Sequence, residues 1–155
     1  MIIGFDELPL WRESLPPRKK LVVTNGCFDL LHYGHIKYLE EAKSHGDILL
    51  VGINSDASVK RLKGENRPVS PEWCRSYILN SLRSVDAVCV FDSDKANLFL
   101  EKAKPHAYVK GGDYSLDTLD KEEKQVLLDN QAQIIIAQFE KGFSTTSILD
   151  KIIKL

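Results

Sequence analysis

The chain has 155 residues, of which 43% are hydrophobic and 28% are charged, and its formal net charge is −1. This length suits one domain with a sizeable core, and the balanced charge provides no overall basic field to attract nucleic acid. No run of about 18 apolar residues predicts a membrane span, and the N-terminus lacks the basic start and apolar core of a signal peptide. We therefore expect a cytoplasmic protein that binds neither nucleic acid nor a membrane.

Strand-like and helix-like segments alternate along most of the chain. Residues 1–19, which are rich in proline, fit this alternation poorly and are expected to form an N-terminal arm, whereas residues 20–155 form the domain. Strands are predicted at 21–24, 48–53, 87–91, 107–110 and 134–137, and helices at 36–42, 56–62, 71–82, 94–104, 119–130 and 144–153. This order predicts an α/β fold: a doubly wound, Rossmann-like parallel sheet of five strands with helices on both faces.

The densest set of reactive residues lies between the first predicted strand and the helix after it. Gly26 and Gly34 let the backbone approach a ligand, and His32 and His35 would share one face of a helical turn. A helix N-terminus favours an anion, so the loop predicts a phosphate site whose imidazoles donate to a phosphoryl group. A metal site built on the two histidines, and histidines without a role, are the alternatives.

The chain has three cysteines, Cys27, Cys74 and Cys89, without the paired spacing of a disulfide framework or a zinc knuckle. Cys89 lies in an apolar run and is expected in the core. Cys27 lies inside the glycine loop, where it is either a nucleophile or a small residue that fills a tight turn. No base is apparent beside it, which favours the second interpretation.

Polar residues also follow the second strand. Asp56 could contact a ligand there, cap the helix that begins at this point, or do both. Further on, the basic segment 60–68 is either a solvated helix end or a group of cations that faces a triphosphate.

Two further segments have similar chemistry. Residues 109–114, which close the fourth strand, include a lysine, two glycines and an aspartate. They form a tight turn or approach a base or a sugar. Residues 144–147 are four consecutive hydroxyl side chains at the start of the last helix, which exceed what a cap needs and suit phosphate oxygens.

Residues 26–35 resemble the signature of the cytidylyltransferase-like nucleotidyltransferases, and residues 142–146 resemble the second signature of that family. The resemblance implies that the histidine pair binds nucleotide phosphates and stabilises the transition state. Family members also use a lysine in the basic segment and an arginine in the next helix. The matching positions are Lys63, Arg75 and Arg83; Cys74 replaces the usual acidic residue before Arg75, which weakens the case for that arginine.

The resemblance thus implies a site assembled from several loops. The catalytic residues would be His32, His35 and Lys63. The residues that bind the nucleotide would be Gly26, Cys27, Phe28, Asp29, Gly34, Arg83, Lys110, Gly111, Gly142, Ser144, Thr145 and Thr146. The residues that bind the second substrate would be Asn54, Asp56, Gly112 and Asp113. Mg²⁺ is expected with ATP, and Asp29 would hold it directly or through water.

Within this family the chain resembles the adenylyltransferase domains of ADP-heptose synthases, through segments 24–29, 52–59, 61–64, 67–69 and 109–114. The resemblance implies transfer of AMP from ATP to D-glycero-D-manno-heptose 1-phosphate, for lipopolysaccharide or another surface glycan. It also implies a homodimer. Such domains are often fused to a sugar kinase, and since only about 20 residues precede this one, a separate heptose kinase is expected.

Two alternatives are less well supported. Glycerol-3-phosphate cytidylyltransferases, which use CTP, share the histidine motif, but they carry an arginine where this chain has Phe139. A non-catalytic nucleotide-binding module would be expected to lack a histidine or the terminal hydroxyls, and this chain keeps both.

Overall fold

A computed structural model describes residues 1–111, 118–137 and 144–155. The strands of the described chain are β1 (Ile2–Ile3), β2 (Leu21–Gly26), β3 (Ile48–Asn54), β4 (Ala87–Phe91), β5 (Ala107–Gly111) and β6 (Gln133–Ala137). The helices are α1 (Leu8–Ser14), α2 (Tyr33–Ser44), α3 (Asp56–Lys63), α4 (Glu72–Asn80), α5 (Asn97–Ala103), α6 (Lys121–Asp129) and α7 (Thr145–Ile153). Within these ranges, no helix is long and apolar enough to cross a membrane.

The strands form one parallel sheet in the order β1-β4-β3-β2-β5-β6. The chain proceeds from β2 through β3 to β4 on one side, and then places β5 and β6 on the other side of β2. The topological switch point therefore lies between β2 and β5, which is where open α/β sheets bind ligands. The predicted Rossmann-like α/β fold is confirmed.

The sheet has one strand more than the five predicted. β1 pairs with β4, with Ile2 opposite Val88 and Ile3 opposite Cys89. The ammonium group of Met1 donates to the backbone oxygen of Asp86 at 2.6 Å, next to this pairing. A strand of two residues is too short to produce a periodic pattern, so the sequence did not reveal it.

The core occupies both faces of the sheet. Leu21 and Val23 of the central strand pack on one face and Val22 on the other, and all three are fully buried. Burying each such side chain contributes about 1.5–3 kcal/mol. A strand buried on both faces has a fixed register, so the loop that follows β2 leaves the sheet at a defined position.

The helix that follows β3 shows how the polar residues are used. Ser55, rather than Asp56, is the N-cap of α3, because its hydroxyl accepts from the backbone N–H of Ser58 at 3.0 Å. Asp56 is the first helical residue, so the prediction that it caps this helix is wrong. Its carboxylate instead accepts a hydrogen bond from Arg75 on α4.

Candidate active site

A cavity of about 690 Å³ opens at the carboxyl ends of the strands, above the switch point. Its wall comes from the loops after β2, β3, β4 and β5 and from the start of α7. The predicted site residues in the wall are Gly26, Cys27, Phe28, Asp29, Gly34, His35, Asn54, Lys63, Lys110, Gly111, Thr145 and Thr146. The fold therefore brings together most of the residues that the sequence pointed to from distant segments.

Other predicted residues lie elsewhere. His32 does not line the cavity itself; its ring stacks on that of His35, which does. Ser144 forms a capping box with Ser147 at the start of α7. Arg83 is exposed in the turn between α4 and β4, at the amino end of the strand, whereas the cavity lies at the carboxyl ends. The structure therefore does not bring Arg83 to the cavity, because parallel strands place these two edges on opposite sides of the sheet. Gly112, Asp113, Gly142 and Phe139 lie outside the described residues.

The two histidines form a stacked pair at the start of α2. Their ring centroids are 3.8 Å apart and the rings are inclined by 26°. Nδ1 of each ring is buried and has no hydrogen-bond partner in the described part of the chain. Buried polar atoms are normally paired, so two unpaired ring nitrogens at one helix start single out these histidines for a role beyond packing.

Burial also sets the charge of this pair. It lowers the pKa of His32, and burial together with the neighbouring His32 lowers the pKa of His35 to about 4. Both imidazoles are therefore neutral near pH 7, and each has one N–H to donate. Phe28 packs its ring against His35 with centroids 5.3 Å apart, from a left-handed backbone conformation at φ +46°. The tight turn after β2 thus fixes the position of the histidine pair.

Asp29 is buried, and both oxygens of its carboxylate accept hydrogen bonds. Its Oδ1 accepts from the backbone N–H groups of Val69 and Ser70 at 2.8 and 2.9 Å, and its Oδ2 accepts from Arg67 Nε at 2.6 Å. Burial alone would raise the pKa of Asp29, but these bonds from Ser70, Val69 and Arg67 outweigh it and lower the pKa. The geometry favours a carboxylate that fastens the α3–α4 loop to the glycine loop over one that holds a metal ion.

The described residues form no cluster of three or more histidine, cysteine, aspartate or glutamate side chains suited to a metal. This part of the chain therefore does not fit a dedicated metal cage. Mg²⁺ commonly binds through substrate phosphates with few protein ligands, so any ion here would depend on the nucleotide. The alternative of a metal site on His32 and His35 gains no support, since neither histidine has a third partner of the required type.

Arg75 is the principal residue whose role the sequence analysis underrated. It is 1% exposed, and it donates from Nε to Ser70 O at 2.9 Å, from Nη1 to Cys27 O at 2.6 Å and from Nη2 to Asp56 Oδ1 at 2.8 Å. It therefore ties three loops together under the cavity. Positions 75, 76 and 79 are buried at helical spacing, so the arginine lies on the inner face of α4. The sequence did not reveal this face, because the large apolar residues Trp73, Tyr77 and Ile78 are exposed on the other one.

Cys27 and Asn54 lie side by side at the floor of the cavity, with Sγ 3.9 Å from Oδ1. Burial is the main cause that raises the pKa of the Cys27 thiol, so the thiolate is disfavoured. The amide nitrogen of Asn54 donates to Ser58 Oγ and to Ser93 O. Both side chains therefore contribute to the packing beneath the cavity. This favours the interpretation of Cys27 as a small residue in a tight turn.

The other flank of the cavity is formed by β5 and α6. Lys110 Nζ lies 3.1 Å from Tyr108 OH, 3.4 Å from Asn25 Oδ1 and 3.7 Å from Glu123 Oε2. Glu123 also accepts from the backbone N–H of Ala96 at 2.8 Å. Asn25, Tyr108 and Glu123 were not predicted, because their contacts join residues that are far apart in the sequence.

Two features close this flank. A Cβ at Gly111 would come within 2.7 Å of the ring of Tyr38, so the end of β5 needs a glycine to pass over α2. At the start of α7, Thr145 Oγ1 donates to Leu30 O at 3.4 Å, which brings the helix N-terminus against the glycine loop. The cavity is thus bordered by the N-termini of α2 and α7, both of which favour an anion.

Comparison with known proteins agrees with this geometry. The sequence model of the family described as cytidylyltransferase-like matches residues 23–151. The bifunctional protein HldE of Nitratiruptor sp. is 46% identical over 151 residues, which is 97% of this chain and 31% of that protein. HldE of Geobacter metallireducens is 49% identical over 136 residues, 88% of this chain and 27% of that protein. The chain therefore spans about three tenths of the length of these curated relatives.

Two solved structures have a similar fold. The lipopolysaccharide core biosynthesis protein of Thermoplasma volcanium superposes with a TM-score of 0.64 at 28% identity, over 81% of this chain and 99% of that one. Pantoate-beta-alanine ligase of Francisella tularensis, in complex with beta-gamma ATP and beta-alanine, superposes with a TM-score of 0.63 at 18% identity, over 100% and 78%. At that identity the second likeness concerns the fold alone. From the match over residues 23–151 and the identity to the HldE proteins, the chain belongs to the cytidylyltransferase-like family of nucleotidyltransferases.

Proposed function

We propose that the protein transfers AMP from ATP to D-glycero-D-manno-heptose 1-phosphate and releases ADP-heptose and pyrophosphate, for the synthesis of lipopolysaccharide or another surface glycan. The observation that carries the proposal is the stacked, neutral His32–His35 pair at a helix N-terminus that favours anions, whose buried Nδ1 atoms have no partner among the described residues. The identity to HldE proteins supports the choice of a heptose substrate, and the likeness to a protein of lipopolysaccharide core biosynthesis agrees with it.

In the proposed mechanism, an oxygen of the sugar phosphate attacks the α-phosphorus of ATP in line and pyrophosphate leaves. A phosphate oxygen is already ionised near neutral pH, so no protein nucleophile is needed. Catalysis then consists of positioning and of stabilising charge on the phosphoryl oxygens. His35, in the cavity wall, would donate an N–H group to the α- and β-phosphates, and His32 would support it through the stacked ring. Lys63 would neutralise charge on the leaving pyrophosphate.

The remaining wall residues would bind the two substrates. The backbone at Gly26 and Gly34 would lie against the phosphates, and the start of α7, at Thr145 and Thr146, would bind phosphate oxygens through its N–H and hydroxyl groups. Lys110 and Gly111 would contact the nucleotide on the β5 flank. Mg²⁺ would accompany the triphosphate and lower its charge.

Two partners are also proposed. A kinase that phosphorylates the anomeric oxygen of the heptose must supply the acceptor, because the reaction begins from a sugar 1-phosphate. A second copy of the chain would form a homodimer; Trp73 and Tyr77 lie four residues apart on α4 and are 72% and 66% exposed. Sedimentation would show a single species at twice the mass of the chain.

A matrix of substrates tests the reaction. Purified protein is incubated with ATP or CTP, each with heptose 1-phosphate or glycerol 3-phosphate, and pyrophosphate release and product mass are measured. We expect turnover with ATP and heptose 1-phosphate. Turnover that requires CTP and glycerol 3-phosphate would replace the proposed substrates, and tight nucleotide binding without pyrophosphate release in any mixture would refute an enzymatic role.

A further inference from the structure

Four arginines follow the glycine loop in sequence, and their guanidinium groups have different surroundings. That of Arg61 is paired with Asp92 and Asp94. Arg75 is buried and donates to three partners, so its hydrogen-bonding capacity serves the frame of the site. Arg83 is exposed on the opposite edge of the sheet. Arg67 lies in the wall of the cavity, and its side chain is 22% exposed.

The side chain of Arg67 is held from one side only. Its Nε donates to Asp29 Oδ2 at 2.6 Å, and the Asp29 side chain is 1% exposed. The other oxygen of Asp29 is fixed by the backbone N–H groups of Val69 and Ser70. The carboxylate therefore sets the plane of the guanidinium, while the two amino groups of Arg67 form no hydrogen bond within residues 1–111, 118–137 and 144–155.

On this flank of the cavity, Arg67 is paired with Asp29, and one further cation is not paired. Lys63 also lines the wall and forms no ion pair with any described residue, and the nearby histidines are neutral. On the opposite flank, by contrast, Lys110 lies 3.7 Å from Glu123, and Lys95 lies 3.3 Å from Asp120. The cavity therefore presents its unbalanced positive charge between α3 and α4.

A guanidinium with two amino groups facing a cavity matches the oxygens of a phosphate in a bidentate manner. The unpaired amino groups of Arg67 and the unpaired charge of Lys63 together suit a group with several phosphate oxygens, and the pyrophosphate of ATP gains negative charge as it leaves. The phosphate of a sugar monoester has less charge to match. The arrangement thus favours the β- and γ-phosphates over the acceptor.

We infer that Arg67, oriented by Asp29, binds the pyrophosphate portion of ATP and stabilises it as the leaving group. This inference rests on the proposed nucleotidyl transfer, and it assigns to Arg67 the contact that the family resemblance would place on Arg83. Asp29 is then a positioning residue, since it acts on the substrate only through the guanidinium.

Calorimetric titration tests the inference without the acceptor, so failure to form ADP-heptose would leave it intact. Pyrophosphate alone and AMP alone are titrated into the wild type, Arg67→Ala and Arg67→Lys, with the exposed Arg18→Ala as the matched control. We expect Arg67→Ala to weaken pyrophosphate binding about tenfold or more, as the loss of charged hydrogen bonds does, and to leave AMP binding within about twofold. Arg67→Lys keeps the positive charge but loses the planar pair of N–H donors. Its affinity for pyrophosphate should therefore lie between those of the wild type and Arg67→Ala.

Circular dichroism melting confirms that each variant is folded before titration. If Arg67→Ala does not fold, the comparison of Arg67→Lys with the wild type decides the matter. Pyrophosphate affinity unchanged in the folded variant, equal weakening of AMP and pyrophosphate, or no pyrophosphate binding by the wild type would each overturn the inference.

Discussion

The two edges of the parallel sheet use their polar side chains differently. At the amino edge, side chains complete the hydrogen bonding of the backbone: Asp86 Oδ2 accepts from the N–H of Leu49 at 2.7 Å, and His106 Nδ1 accepts from the N–H of Leu21 at 2.9 Å. Asp86 also pairs with Lys43 at 2.5 Å. The polar groups of this edge are therefore used for stability.

At the carboxyl edge, several polar groups lack partners among the described residues. The Nδ1 atoms of His32 and His35 are buried without a hydrogen bond, and Arg67 is engaged through Nε alone. Leaving such groups unpaired costs stability, and this cost is recovered when a ligand binds. Asn80 Oδ1, at the end of α4 near the amino edge, is also buried without a partner among the described residues. Unpaired atoms alone therefore do not locate the functional edge; the carboxyl edge differs because its unpaired groups cluster beside a cavity.

The largest expected effect comes from the matched pair of histidines on the two edges. His35→Ala removes the proposed donor to the reacting phosphates, so turnover should fall about 10²-fold or more while the melting temperature changes little. His106→Ala should keep the turnover of the folded protein and lower its stability by about 1–2 kcal/mol, because the N–H of Leu21 loses its acceptor. Pyrophosphate release and urea unfolding measure the two effects, and a swap of the two outcomes would contradict the comparison.

Asp86→Ala should produce the next effect, on stability alone. The substitution removes the acceptor of Leu49 N–H and the partner of Lys43, so the free energy of unfolding should fall by about 2 kcal/mol. The turnover number of the folded variant should equal that of the wild type. A clear loss of turnover, with stability intact, would show that the amino edge takes part in function.

A smaller effect is expected in the pH dependence of stability. The pKa of His35 is about 4 in the folded protein and 6.5 when unperturbed, so the unfolded chain binds a proton between these values before the folded chain does. The free energy of unfolding should therefore fall as the pH drops from 6.5 toward 4. His35→Asn should reduce this slope in urea titrations at several pH values, and identical slopes would show that the pKa is not lowered.

The smallest effect should follow from Arg83→Ala. This arginine is exposed on the amino edge and does not line the cavity, so kcat and the KM for ATP should each stay within about twofold of the wild type. Steady-state kinetics would decide between the structure and the family resemblance. A tenfold rise in KM would return Arg83 to the site, for example through a partner subunit.

The sequence predicted those parts of the fold and site that depend on local patterns. The strand at 87–91 has the predicted bounds, because a continuous apolar run between polar turns is local information. The histidine loop was recognisable for the same reason, since its residues are contiguous. The two residues of β1 are too few to show the alternation of apolar and polar residues that marks a strand. The N-cap of α3 is Ser55, one position before the residue considered as a cap.

The contacts that organise the site could not be predicted in this way. Arg67 meets Asp29 across 38 positions, and Arg75 meets Cys27 across 48. The sheet order and burial decide how each arginine is used. Arg75 donates to three partners, Arg67 donates through Nε alone among the described residues, and Arg83 lies at the opposite edge of the sheet. These contacts between distant residues cannot be read from a single sequence and become visible only in the folded structure.

The most direct test of the account is a measurement of pyrophosphate release from ATP and heptose 1-phosphate by the wild type and by His35→Ala at matched concentrations of folded protein. We expect rapid release by the wild type, formation of ADP-heptose, and a loss of about 10²-fold or more in the variant. Equal release by the two proteins, or none by the wild type, would contradict the assignment of the carboxyl edge as a site of nucleotidyl transfer.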